Sequence, residues 1–260
     1  MKYGFIGCGN MGGAIAKAVA NSTKDMMLAD PSGKAEALAQ EWGVSVGTNA
    51  EVAACDRVFL GVKPQVMAGV LKGLQPVLTE KKPLLITMAA GLEIKKIEEM
   101  AGVRLPLIRI MPNTAVAVGK GVILYCRNDL VDDETLADVL NDLRFAGMLD
   151  PLDEKLIDAA CAVSGCGPAY MYMFLEAMAD GAVACGVPRD KALRYAAATM
   201  AGAAELALTT GQHPGQLKDA VCSPGGSTIA GVMALEENGF RGAVMDCVVA
   251  AYRRNLELGK

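Results

Sequence analysis

The chain has 260 residues, 52% hydrophobic and 21% charged, with 29 glycines, one histidine and a formal net charge of −4. This composition excludes a disordered tail, a collagen-like fibre and a small disulfide scaffold. The acidic balance gives no broad basic field for a phosphate backbone, so nucleic acid is not an expected partner.

At this length one core nears its practical ceiling, which favours two unequal domains. The N-terminus runs Met1, Lys2, Tyr3 and then into a glycine loop, so no signal peptide is expected. Up to about residue 150, short apolar runs alternate with helical periodicity, the pattern of a parallel sheet covered by helices. Strands are predicted at 2–6, 26–29, 57–61, 84–88, 107–111 and 121–125. Helices are predicted at 10–20, 32–42 and 136–144, the last opened by Asp132, Asp133 and Glu134, where the helix dipole favours acids.

Gly7-Cys8-Gly9-Asn10-Met11-Gly12 lies between the first strand and the first helix, the context that a dinucleotide loop requires. Gly7 allows the tight turn, Gly9 lets backbone amides approach a pyrophosphate, and Gly12 lets the helix pack on the strand. Asp30 ends the second strand about twenty residues on, where a carboxylate accepts from ribose hydroxyls and repels a 2′-phosphate. The residue thus leans toward NADH, against a plain turn or cap role before Pro31. Ser32, Gly33 and Lys34 offer a phosphate site if Asp30 turns away. Gly61-Val62-Lys63-Pro64 and Ala89-Ala90-Gly91 follow later strands and are placed to touch the same cofactor. Lys63 reads equally well as a phosphate partner or a solvated lysine.

After Asp150 and Pro151 the strand pattern stops and Ala, Leu and Met recur at helical spacing, which divides the chain into domains 1–151 and 152–260. The fold class is α/β: an N-terminal Rossmann-type parallel sheet with a C-terminal all-helical dimerisation domain. The stretch 168–185 is apolar nearly all round, yet carries Glu176 and Asp180 and is too short for a membrane span. A subunit interface completes its burial better than a monomeric bundle does. The eight cysteines include no CxxC pair, which suits reduced core residues and a cytoplasmic protein. A single histidine, His213, argues against a triad or a multi-histidine metal site, and no metal is expected. Ser223-Pro224-Gly225-Gly226-Ser227-Thr228 precedes a helix predicted to start near Ile229, so several amide donors converge on one anion, naturally a small carboxylate. The alternative is an ordinary helix start capped by Ser227 or Thr228.

Taken with 109–114 (RIMPNT), 163–170 (VSGCGPAY) and 213–219 (HPGQLKD), these motifs resemble the pyrroline-5-carboxylate reductase family from the first strand to the last helix. The resemblance implies hydride transfer from NAD(P)H to the imine carbon of 1-pyrroline-5-carboxylate, the last step of proline biosynthesis. It assigns the substrate carboxylate to Ser223, Gly225, Gly226, Ser227 and Thr228. The Thr228 hydroxyl approaches the ring nitrogen as the catalytic candidate, and Glu154 matches an acid near the substrate. The cofactor falls to Gly7, Cys8, Gly9, Asn10, Met11, Gly12, Asp30, Asn49, Val62, Lys63, Pro64, Ala89, Ala90 and Gly91. Asp30 departs from relatives suited to a 2′-phosphate, and Ser227 stands where many have alanine. The expected assembly is a homodimer through the helical domain, with a larger homo-oligomer open.

A protonated imine is electrophilic enough for the protein mainly to hold and orient the reactants. His213 is read as a hydrogen-bonding turn residue rather than the proton donor. Two alternatives stand beside this reading. A beta-hydroxyacid dehydrogenase places a catalytic lysine where this chain has Met171, and a non-catalytic dinucleotide sensor needs no anion nest.

Overall fold

Tyr3–Ile6, β1, is buried at every position and lies in the interior of an eight-stranded sheet. The other strands are β2 (Met26–Ala29), β3 (Ser45–Val46), β4 (Arg57–Leu60), β5 (Leu84–Thr87), β6 (Leu107–Pro112), β7 (Gly121–Arg127) and β8 (Gly147–Pro151). Between them run α1 (Asn10–Ala20), α2 (Lys34–Trp42), α3 (Asn49–Ala53), α4 (Pro64–Lys81), α5 (Ile94–Ala101) and α6 (Asp133–Leu143). Six helices follow: α7 (Glu154–Ser164), α8 (Gly167–Ala184), α9 (Arg189–Thr210), α10 (Pro214–Ala220), α11 (Ser227–Glu237) and α12 (Phe240–Leu258). This computed structural model describes residues 1–258.

The strand order is β3-β2-β1-β4-β5-β6-β7-β8, and every pair is parallel except β6 with β7. The expectation of a parallel sheet is thus corrected at one pair. Residues 113–120, which hold a 3-10 turn at Thr114–Val118, are too few for a crossover and return the chain antiparallel. Strands β3 and β8 were not expected. The first has two residues, and the second ends Leu149-Asp150-Pro151 on an exposed edge, with no apolar alternation to betray it.

Alternation along the strands sends side chains to opposite faces. Phe5 stacks on Phe59 at 4.4 Å on the face covered by α1, α2 and α6. Ile6, Val58 and Leu60 point to the face covered by α3, α4 and α5. The helix expected at 32–42 begins at Lys34, because Gly33 takes a left-handed φ of 81° as its N-cap. The helix expected from Leu136 starts at Asp133, and the Asp132 carboxylate accepts from Thr135 N.

Two compact units result, residues 1–166 with 251–258, and Gly167–Ala250. The change from strand to helix falls after Pro151, whereas the units part at Cys166. Helix α7 stays with the first because Ile157 packs on Met111 and Leu124. In the second unit, α8 and α9 pack through Ala179, Ala192 and Ala196, while Met171, Tyr172, Met173, Leu206 and Leu208 are exposed. Among the described residues no helix is long and apolar enough to cross a membrane.

Candidate active site

The three loop glycines answer to three different demands. Gly7 has φ +94°, and a Cβ there would lie 2.8 Å from the Gly61 backbone. A Cβ on Gly12 would lie 2.0 Å from Gly7 O, so α1 can approach β1 only with glycine at that point. A Cβ on Gly9 meets nothing within 4 Å. Packing therefore explains Gly7 and Gly12 and leaves Gly9 unexplained until an anion is brought to the loop. Gly9 is the N-cap of α1 and among the described residues no side chain caps the helix, which leaves its first-turn amides to a ligand. This loop lies where the strand order reverses between β1 and β4, the usual place for a dinucleotide.

Asp30 ties the loop to the turn after β2. Its Oδ2 accepts from Cys8 N at 2.7 Å, and its Oδ1 accepts from Ser32 N at 2.9 Å and from the Ser32 hydroxyl. Burial raises its pKa, but the Ser32 hydroxyl, the Ser32 and Cys8 amides and the nearby Lys34 outweigh it and hold the carboxyl below its ordinary value. A fixed negative charge thus stands at the end of β2, in an Asx-type turn. The Cys8 thiol, largely buried beside this carboxylate, is pushed up to about 12 and is inert as a nucleophile.

Val62, Lys63 and Pro64 follow β4, with Lys63 exposed as the N-cap of α4 and Pro64 at its first position. Ala89, Ala90 and Gly91 follow β5, with Ala90 exposed and Gly91 at φ +72°. Both loops leave the carboxyl ends of strands near the reversal. Asn49 is exposed at the start of α3 and lines a groove of about 700 Å³ with Gln65 and Gly69 of α4.

Glu154, the first residue of α7, accepts from Ile94 N at 2.8 Å and from Arg109 at 3.2 Å. Arg109 is fully buried, and its other terminal nitrogen donates to Asp158 at 3.0 Å. In the sequence Arg109 stands out only as part of the motif 109–114, and Ile94 and Asp158 carry no motif of their own. A charged residue inside the apolar run of β6 was the available signal.

In the second unit, Ser223–Gly226 is a turn closed by Gly226 N donating to Ser223 O at 3.0 Å. Pro224 and Gly225 form its centre, Gly225 at φ +68°, as a type II turn requires. A Cβ on Gly226 would lie 2.3 Å from Ser223 Oγ. Helix α11 begins at Ser227, two residues before the predicted start, with Gly226 as N-cap and no side-chain cap. Neither Ser227 nor Thr228 is the cap, so the amides of the first turn stay available to a ligand. His213 is the N-cap of α10, its Nδ1 accepting from Gly215 N at 3.1 Å, which is the turn role expected of it.

Residues 154–258 match the family model described as pyrroline-5-carboxylate reductase dimerisation, and residues 2–91 match that described as NADP oxidoreductase coenzyme F420-dependent. The pyrroline-5-carboxylate reductase of Pisum sativum is 42% identical over 98% of this chain and 95% of its own length. That of Escherichia coli is 41% identical over all of this chain and 98% of its own. The chain belongs to the pyrroline-5-carboxylate reductase family. A solved family member, the NADP-bound pyrroline carboxylate reductase of Plasmodium falciparum, superposes with a TM-score of 0.90 at 36% identity, covering 100% of this chain and 98% of its own. The glycine loop lies in the first unit and the uncapped start of α11 in the second.

Proposed function

We propose that the chain reduces 1-pyrroline-5-carboxylate to proline with NAD(P)H. The observation that carries this reading is the uncapped turn Gly226-Ser227-Thr228 at the start of α11, in a chain that matches pyrroline-5-carboxylate reductases over its whole length. When bound, the dinucleotide supplies a hydride, which adds to the imine carbon while the ring nitrogen keeps one proton from solvent. The amides of Ser227 and Thr228 hold the substrate carboxylate, with Ser223, Gly225 and Gly226 shaping the turn around it, the Gly226 amide closing that turn on Ser223 O. The carboxylate fixes which face of the ring is presented, and the Thr228 hydroxyl orients the ring nitrogen. Gly7 to Gly12 hold the pyrophosphate, while Asn49, Val62 to Pro64 and Ala89 to Gly91 bound the rest of the dinucleotide.

The Asp30 carboxylate favours NADH, since a fixed negative charge opposes a 2′-phosphate. The NADP in the Plasmodium protein marks the alternative, which Ser32 and Lys34 would serve here. The exposed apolar side chains of α8 and α9 support a homodimer through the second unit, and the eight free cysteines suit the reducing cytoplasm. A paired steady-state assay on the imine with NADH and NADPH tests the reading. Consumption of neither cofactor overturns the activity, and a preference for NADPH overturns the role given to Asp30.

A further inference from the structure

We propose that Glu154 is a positioning residue for the dinucleotide, latching the loop after β5 in place, rather than a ligand of the imine. The inference rests on the reading of Ala89 to Gly91 as cofactor-facing. Residues 88–93 connect β5 to α5, and their own hydrogen bonds are long. Ala89 N reaches Thr87 Oγ1 at 3.4 Å, and Leu92 N reaches Ala89 O at 3.4 Å. The N-cap of α5 is Glu93, whose side chain makes no capping bond. The first amide of the helix, Ile94 N, is instead capped at 2.8 Å by Glu154, sixty residues away in sequence. A carboxylate there also suits the positive end of the helix.

What holds Glu154 comes from the sheet. Arg109 pairs in register with Thr87, the last residue of β5 before the loop. Its two terminal nitrogens reach Glu154 and Asp158, one helical turn apart on α7, and its Nε has no hydrogen-bond partner. The guanidinium is therefore balanced by α7 alone among the described residues. It fixes the Glu154 carboxylate from one side while Ile94 N engages the same oxygen, Oε1, from the other. Both ends of the loop are thus referred to one buried cation: Thr87 by sheet register, Ile94 through Glu154. Asp158 shares the cation but makes no hydrogen bond to the loop among the described residues, so the two carboxylates have separable duties.

Two conservative changes part the latch from the charge. Glu154→Asp keeps the charge beside Arg109 but shortens the arm to Ile94 N, whereas Glu154→Gln loses the charge and keeps an oxygen acceptor. Dinucleotide affinity is read by fluorescence titration of NADH and NADPH without imine, and kcat and both KM values by steady-state assay. For Glu154→Asp we expect dinucleotide affinity to fall about tenfold or more, as misplacement of a binding loop by an ångström does, with the imine KM near that of the parent. Glu154→Gln and Asp158→Asn should keep dinucleotide affinity close to the parent value. The proposal is overturned if Glu154→Gln and Glu154→Asp both raise the imine KM alone, which would make Glu154 a substrate ligand. It is also overturned if Asp158→Asn weakens dinucleotide binding as much as Glu154→Asp does, which would leave only charge balance. A parent that binds the dinucleotide but reduces no imine sinks the proposed activity and leaves the latch to be judged on affinity. A parent that binds neither dinucleotide sinks both.

Discussion

Asp142 has a side chain only 5% exposed, yet it accepts from Lys2 Nζ at 2.8 Å, Tyr3 Oη at 2.7 Å and Ser22 Oγ. Burial raises its pKa, but these three donors and the Lys2 charge outweigh it and hold the carboxyl below its ordinary 3.8. A depressed value in the folded state contributes stability that is present above the unfolded pKa and is lost as pH falls through the folded one. Asp142→Asn should therefore cost about 2 kcal/mol at neutral pH, the worth of charge-assisted hydrogen bonds. The gap from the parent should begin to narrow as pH falls below the unfolded value of about 4 and should close only once pH has passed below the depressed folded value; urea titrations at pH 7 and at steps downward through the acid range check this. At the proposed site, Thr228→Ala should lower kcat about tenfold or more, as loss of a positioning contact does, and leave dinucleotide affinity unchanged. Asp30→Ser should move preference toward NADPH, measured as the ratio of kcat/KM for the two cofactors, by removing like-charge repulsion. The same substitution frees Cys8 N from its partner, so affinity for both dinucleotides is best measured alongside. These roles were unequally legible beforehand. The loop glycines declare themselves by spacing, but that Asp30 would bond the loop amide of Cys8 follows only from three-dimensional closure. Glu154 was visible as an acid in a first helical turn, while its partner Ile94 N is a backbone atom that no side-chain pattern marks.

Elements whose face is decided by alternation or by 3.6-residue periodicity were readable in the chain. Helix α1 occupies the predicted 10–20, and β1, β2, β4, β5, β6 and β7 fall within about two residues of expectation. Elements settled by their neighbours were not. Strand β3 exists because Ser45 and Val46 lie beside Met27 and Leu28, and β8 because Gly121 and Gly147 come within contact of one another at the edge. The direction of β7 depends on connection length, which is a property of the gap rather than of the strand. The glycine loop offers a test at this scale. Gly12→Ala forces a Cβ against Gly7 O between α1 and β1, so stability should fall by about 1–3 kcal/mol in denaturant unfolding. Gly9→Ala puts its methyl in open space and should leave the unfolding midpoint unchanged while weakening the dinucleotide about tenfold or more. Equal loss of stability in both variants would mean that the loop, and not the ligand, requires glycine at position 9.

The second unit buries few side chains through its own contacts: three alanines form the centre of α8 and α9, while Met173 is 71% exposed and Leu208 76%. So few buried groups offset little of the entropy lost in ordering 84 residues (Gly167–Ala250), and the homodimer proposed above would supply the missing apolar cover. Each tenfold rise in protein concentration should then add about 1.4 kcal/mol to the apparent stability of a dimer. Met173→Lys should lower the mass seen by sedimentation equilibrium. A midpoint independent of concentration would argue for a self-sufficient subunit. The apolar run of α8 signalled this from the sequence, but the retention of α7 by the first unit did not, because it depends on Ile157 finding Met111 and Leu124.

Helix α12 has a consequence for how the protein is made. Its residues from Ala251 on belong to the first unit, where the Asn255 side chain donates to the Asp158 carbonyl of α7 at 3.0 Å. That bond cannot close until residue 255 has left the ribosome, after the whole intervening helical excursion has been translated. The nascent Rossmann sheet therefore emerges early and waits, and a chain stalled anywhere within the excursion carries a nucleotide-binding half that lacks its last fastening.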